Sequence, residues 1–209
     1  MRSVEGLHVI VGGTNHARTC ELARIAEAEG ATAIQLREKS KPTGEILVIA
    51  DSLRKIIERA VFIINDRADI ALATGADGVH LGQDDLPIGE ARKVLGPNAI
   101  IGVSTSNVEQ ALEAEQKGAN YLGFGHMFAT RSKDKTSPPK SRDDLSVVIA
   151  SVSIPVIAIG GISTSNVDSI LSPGLGGIAV INAVNEAENP AAVIRQFVRM
   201  LEEYHAVTA

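Results

Sequence analysis

Cysteine is nearly missing from this chain: Cys20 is the single one in 209 residues. No internal disulfide can staple the fold, which agrees with a reducing compartment, and Cys20, set in a helical pattern, reads as a small buried apolar residue. Aromatic residues make up only 3%, and the formal net charge is -5. That combination offers neither the basic patch nor the stacking platforms of a nucleic-acid binder, so nucleic acid is not expected as a partner. No apolar run approaches the ~20 residues of a membrane span, and Met1 to Gly6 lack the basic, apolar, small-residue order of a secretion signal. The expectation is a cytoplasmic protein without a membrane partner.

What is present is a 44% hydrophobic content, enough for a sizeable core in one large or two small domains. Short β-branched runs recur at Leu7 to Val11, Ala31 to Leu36, Val61 to Ile64, Gly78 to Leu81, Ile100 to Val103, Tyr121 to Phe124, Pro155 to Ile159 and Gly177 to Ile181. Between them apolar residues fall at helical spacing, as in Leu22, Ile25, Ala26 and in Ile46, Ile49, Leu53, Ile56, Ile57. Glycine-rich stops at Gly30, Gly75 and Gly118 close helices before the next strand. Eight strands alternating with eight helices predict a closed (β/α)₈ barrel in a single domain over residues 1–209, near the lower end of the ~200 to 400 residues usual for that fold. A doubly wound sheet would carry Gly-x-Gly-x-x-Gly after its first strand, and Val11-Gly12-Gly13-Thr14-Asn15 does not supply it.

In a barrel all strand C-termini face one mouth, where the chemistry sits. Strand two delivers Gln35, Arg37 and Lys39 at period two, two cations and an amide suited to a polyanion. Strand three ends in Asn65-Asp66 and strand four in Asp84-Asp85, carboxylates that suit a hard cation such as Mg²⁺, with helix capping near Pro87 as the plain alternative for the second pair. Ser104-Thr105-Ser106 ends strand five, to cap the next helix or to donate hydroxyls to a ligand. Strand six leads through Gly125-His126 into a long connection with Thr130, Arg131, Ser132 and Lys133, which has the composition of an active-site lid over about residues 129–142. His126 suits proton transfer or an ordinary hydrogen-bonded role. Gly160-Gly161 after strand seven and Ile181-Asn182 after strand eight mark the usual phosphate site of this architecture. One mouth would thus hold a diphosphate with Mg²⁺ on one side and a monophosphate on the other.

Taken together, Gln35-Leu36-Arg37-Glu38-Lys39, Ile64-Asn65-Asp66, Val79-His80-Leu81-Gly82-Gln83-Asp84-Asp85, Gly102-Val103-Ser104, Phe128-Ala129-Thr130-Arg131-Ser132-Lys133 and Ala158-Ile159-Gly160-Gly161-Ile162 resemble thiamin phosphate synthase, from about Leu7 to Val184. The resemblance implies a transferase that joins hydroxymethylpyrimidine diphosphate to thiazole phosphate, or to its carboxylate, and releases diphosphate. It implies that Gln35, Arg37, Lys39, Asn65, Ser104 and Lys133 hold the pyrimidine diphosphate and that Asp66 and Asp85 bind Mg²⁺. Thr130, Arg131, Ser132, Gly161, Ile181 and Asn182 would receive the thiazole phosphate, with Arg37, Lys133, Ser104 and His126 as the catalytic candidates. The chain departs from the family in carrying His126 and Ala129 where proline is usual and Asn182 where serine is common. His126 makes the strand-six end similar to the paralogous TenI-type thiazole tautomerase, in which a histidine moves a proton. Against a tautomerase stands the complete diphosphate and Mg²⁺ set; against a non-catalytic sensor of thiamin precursors stands the retention of Asp66, Asp85 and Lys133. Apolar positions on the outer helices would allow a homodimer.

Overall fold

β-branched runs rise as strands because the branched side chains fill a pleated surface buried on both faces, which is how parallel sheets hide their strands. The computed structural model describes residues 3–130 and 138–208. Its strands are β1 (Gly6–Val11), β2 (Ala33–Leu36), β3 (Val61–Asn65), β4 (Gly78–Leu81), β5 (Ile100–Thr105), β6 (Tyr121–Gly125), β7 (Val156–Ile159) and β8 (Gly177–Val180). Each pairs in parallel with the next, and β8 returns to β1 through Gly6↔Gly177 and Val9↔Val180, so the barrel closes without an edge. The helices are α1 (His16–Ala28), α2 (Thr43–Ile56), α3 (Ala68–Thr74), α4 (Ile88–Leu95), α5 (Val108–Gln116), α6 (Arg142–Ser151), α7 (Asn182–Asn185) and α8 (Pro190–Thr208).

The strict alternation of strand and helix expected from the sequence breaks once. Between β7 and β8 stands only a 3₁₀ turn, Val167–Ile170, and the four-residue α7 follows β8 before the long α8. The reason is local: Asn166 accepts from the Ser163 N–H at 2.8 Å and donates to the Gly161 carbonyl at 3.0 Å, and Pro173-Gly174 stops the segment shortly afterwards.

Period two along each strand sorts the core into two layers. Outward residues such as Leu36, Phe62, Ile64, Val79, Leu122 and Ile178 meet the buried faces of the helices, while Ile10, Ala33, Val61, Ile63, Ile100, Tyr121, Ile157 and Ala179 fill the barrel itself. One glycine shows how tightly that interior is filled. A Cβ on Gly102 would stand 2.1 Å from the Tyr121 ring, so the large aromatic lies where β5 has no side chain. Polar residues are also buried inside: His8 is 1% exposed, Gln35 3% and His80 8%. Buried polar groups need partners, and those partners define the floor of the site.

Candidate active site

At the bottom of the mouth, His80 links two strands: Nδ1 lies 3.0 Å from the Tyr121 hydroxyl and Nε2 lies 2.9 Å from the Ser104 hydroxyl. Burial pushes the Tyr121 phenol well above its usual range, which keeps the hydroxyl protonated as a hydrogen-bonding group. His8 stands edge-on to Tyr121 with ring centroids 5.3 Å apart, and its Nε2 is 2.6 Å from the Val4 carbonyl. A carbonyl can only accept, so His8 carries its proton on Nε2. Burial lowers its pKa to about 4, the Val4 contact opposing the shift, and the ring is neutral above that.

Above this floor, the strand ends bring most of the described candidate residues together. Gln35, Arg37, Lys39, Asn65, Asp66, Asp85, Ser104, His126, Thr130 and Ile181 line one pocket, together with His8, His80 and Tyr121. Asp66 turns out of the line of β3 because its backbone is left-handed, φ 62°, a conformation that Asp tolerates better than most residues. Its carboxylate meets the Lys39 ammonium and faces Asp85. Burial raises the Asp66 carboxyl above the usual range, Lys39 draws it back down, and the neighbouring Asp85 raises it again. Two facing carboxylates at an open pocket are a donor set that suits a Mg²⁺ ion whose remaining ligands are water or other oxygens, so the residues fit that ion. Among the described residues no cluster of three or more His, Cys, Asp or Glu could hold a metal by itself.

The capping alternatives are settled by geometry. Pro87 stands at the N-cap of α4 with no side-chain cap, while Asp85 accepts the Gly82 N–H at 2.6 Å, closing the turn after β4 and aiming one carboxylate at the mouth. Asp84, expected to join it there, is not among the pocket residues. Asn107 caps α5 by accepting from the Gln110 N–H at 2.8 Å, which leaves Ser104 to the interior.

A second pocket adjoins the first and shares Thr130, Gly160 and Ile181 with it, adding Gly161, Ser163, Asn182 and Glu186. The two glycines serve the fold as well as any ligand. A Cβ on Gly160 would lie 2.3 Å from the His126 Cβ, and one on Gly161 would lie 2.4 Å from the Ala129 carbonyl oxygen, with φ 102° and 67°. They let the chain after β6 lie against the end of β7, where the Met127 and Phe128 N–H groups donate to the Ile159 and Gly160 carbonyls at 3.0 and 2.9 Å. His126 is 6% exposed and its Nδ1 donates to the Phe128 carbonyl at 3.0 Å, the hydrogen-bonded role foreseen as its plainer reading. Arg131, Ser132 and Lys133 lie outside the described residues, as do residues 131–137 of the expected lid as a whole.

His8, His80 and Tyr121 escaped the reading of strand ends because none of them follows a strand's C-terminus: His8 and His80 lie within β1 and β4, and Tyr121 opens β6. Their signal is a polar or amphipathic side chain on the inward phase of an otherwise apolar strand, which becomes visible only when the strand register is known.

The barrel and its strand-end mouth define a class: a (β/α)₈-barrel protein with a polar pocket suited to small anionic molecules. The chain belongs to the thiamine monophosphate synthase family, whose model matches residues 7–184. It is 50% identical over 179 residues to the thiamine-phosphate synthase of Chlorobium luteolum, covering 85% of this chain and 84% of that one. With the thiamine-phosphate synthase of Moorella thermoacetica it shares 47% over 180 residues, 85% of this chain and 86% of the other. The structure of thiamine phosphate pyrophosphorylase from Pyrococcus furiosus superposes with a TM-score of 0.87 at 41% identity, over 97% of this chain and 98% of that one.

Proposed function

We propose that this chain is a thiamine-phosphate synthase, a transferase that couples hydroxymethylpyrimidine diphosphate with thiazole phosphate, or its carboxylate, and releases diphosphate. The observation that carries the reading is the convergence of Gln35, Arg37, Lys39, Asn65, Asp66, Asp85 and Ser104 on one pocket that runs into the Thr130, Gly161 and Asn182 pocket.

A C–O bond to diphosphate breaks and a bond from the thiazole nitrogen to the methylene carbon forms, so charge develops on the leaving group. Arg37 and Lys39 line the pocket in which we place that charge, and cations held in position, Lys39 by Asp66, would stabilise it. Asp66 and Asp85 would hold a Mg²⁺ ion, which when bound supplies further neutralisation of the diphosphate. The Ser104, His80 and Tyr121 chain, with Ile10 and Ile157 beside it, gives a flat pyrimidine an apolar wall and a hydrogen-bonding edge. Gln35 and Asn65 stand at the strand ends above them and orient the ring and its diphosphate arm. Thr130, Gly161, Ile181 and Asn182 receive the thiazole phosphate in the second pocket. Arg131, Ser132 and Lys133 complete the assignment through the family resemblance, Lys133 on the departing diphosphate. His126, held by Phe128, is a tolerated replacement for the usual proline rather than a proton carrier.

No helix among the described residues is long and apolar enough to cross a membrane, and we take the enzyme to be cytoplasmic, with neither nucleic acid nor membrane as a partner. A homodimer would draw on the exposed Val48, Leu72, Val94 and Leu112 on α2 to α5.

The test is a product assay with purified protein, both substrates and Mg²⁺, scored for thiamin phosphate and diphosphate with and without a chelator. Chelator-sensitive product at catalytic turnover is expected. Folded protein that makes none, yet shifts a proton on a thiazole carboxylate phosphate, would give the site to the tautomerase.

A further inference from the structure

Between Arg37 and Lys39, both of which face the mouth, stands a carboxylate that faces away from it. The Glu38 side chain is 0% exposed, and both of its oxygens are used: Oε1 accepts the Gly13 N–H at 3.0 Å and Oε2 accepts from the Lys41 ammonium at 3.1 Å. Lys41 Nζ donates in turn to the Thr14 carbonyl at 2.8 Å. Arg37 N–H donates to the Val11 carbonyl at 2.9 Å, and a Cβ on Gly12 would lie 2.2 Å from the Arg37 carbonyl oxygen, so the two backbones are in contact. One buried carboxylate thus fastens the loop after β1 to the loop after β2.

Burying a carboxylate carries a large desolvation cost, and an apolar side chain of similar volume would hold two loops together at least as well by packing alone. What the ion pair adds is direction. The acceptor geometry fixes the Glu38 backbone, and the residues on either side of it are the two cations of the mouth. We propose that Glu38, locked by Lys41, is a positioning residue for Arg37 and Lys39: it touches no substrate and sets the angle at which the two cations meet a diphosphate. The proposal rests on the assignment of the diphosphate to Arg37 and Lys39.

Glu38→Gln keeps an acceptor for the Gly13 N–H but turns an amide NH₂ toward the Lys41 ammonium, which opens the clasp with almost no change of volume. The expected result is a rise of tenfold or more in KM for the pyrimidine diphosphate and in Kd for inorganic diphosphate with Mg²⁺ by calorimetry. KM for thiazole phosphate should stay within about twofold. A partner change that restores complementarity, Glu38→Gln with Lys41→Gln, should recover most of the diphosphate affinity. Should Glu38→Gln not fold, Lys41→Ala, whose site is partly exposed, is measured by the same diphosphate titration, with the same rise expected. Arg37→Ala is run alongside. If Arg37→Ala weakens diphosphate binding and the Glu38 and Lys41 variants do not, or if they raise both KM values together, the clasp is only structural and the proposal falls. If Arg37→Ala binds diphosphate like the wild type, the underlying assignment falls with it.

Discussion

A carboxylate pair and a histidine carry opposite expectations at the scale of single residues. Asp66 is held out of its strand beside Lys39 and Asp85, and removing its carboxylate would leave the proposed Mg²⁺ ion one protein ligand; Asp66→Ala should lower turnover by about 10²-fold or more. His126→Ala should leave turnover largely intact, because the proposed reaction needs a stabilised leaving group rather than a proton carrier, and the ring's Nδ1 is held by the Phe128 carbonyl. Steady-state assays of both variants check the pair, and the reverse pattern would make His126 the working residue. His8 gives a pH expectation. Its pKa is about 4 in the fold against 6.5 in the unfolded chain, so the unfolded state binds the extra proton between those values. Stability is therefore complete above about pH 6.5 and is lost as pH falls toward 4, by roughly 3 kcal/mol at most from this one group. Urea unfolding of His8→Gln, which can still donate to Val4, should show a flatter acid limb than the wild type; an unchanged slope would assign acid sensitivity elsewhere.

Contacts between elements decide the next set of effects. The chain after β6 presses on the end of β7 at Gly160, where a methyl would meet the His126 Cβ at 2.3 Å on a backbone with φ 102°. Gly160→Ala should cost about 2–4 kcal/mol, overpacking and backbone strain together. Gly44 in the first turn of α2 has nothing within 4 Å of an added Cβ, and Gly44→Ala should be neutral or stabilising by up to about 1 kcal/mol. Denaturation curves of the two variants compare them directly, and equal costs would mean that this approach is not tight. The same contrast explains what the sequence could say. The β-branched runs located all eight strands, and Gly-Ala punctuation before three of them closed the preceding helices, because both are local signals. The 3₁₀ turn after β7 was hidden because it depends on how Asn166 reaches back to Ser163 and Gly161. The strand-end residues were legible once the barrel was assumed. Glu38 was not, because it read as the off-phase neighbour of Arg37 and Lys39, and its worth lies in partners at Gly13 and Lys41 that only folding brings near.

On the scale of the whole molecule, closure matters most, since β8 pairs with β1 and every strand has two neighbours. The proposed diphosphate site draws its residues from β2, β3, β4 and β5 and the loops after them, so a ligand there ties together nearly half of the barrel wall. A closed barrel of one core should unfold in one cooperative calorimetric transition, and a ligand that binds only the folded state should move that transition as a unit. The Mg²⁺–diphosphate complex, at near a hundred times its dissociation constant, should stabilise the fold by about 2.7 kcal/mol. At this chain length that corresponds to a rise of about 5–10 °C in Tm. Either component alone should do much less, because at the proposed site Asp66 and Asp85 would repel a bare diphosphate and, among the described residues, only those two carboxylates would meet a bare Mg²⁺ ion. Scanning calorimetry with each component and with both decides the matter. A joint shift no larger than the sum of the separate ones would show that metal and diphosphate do not share a site, and two resolved transitions would show that the barrel is not one cooperative unit.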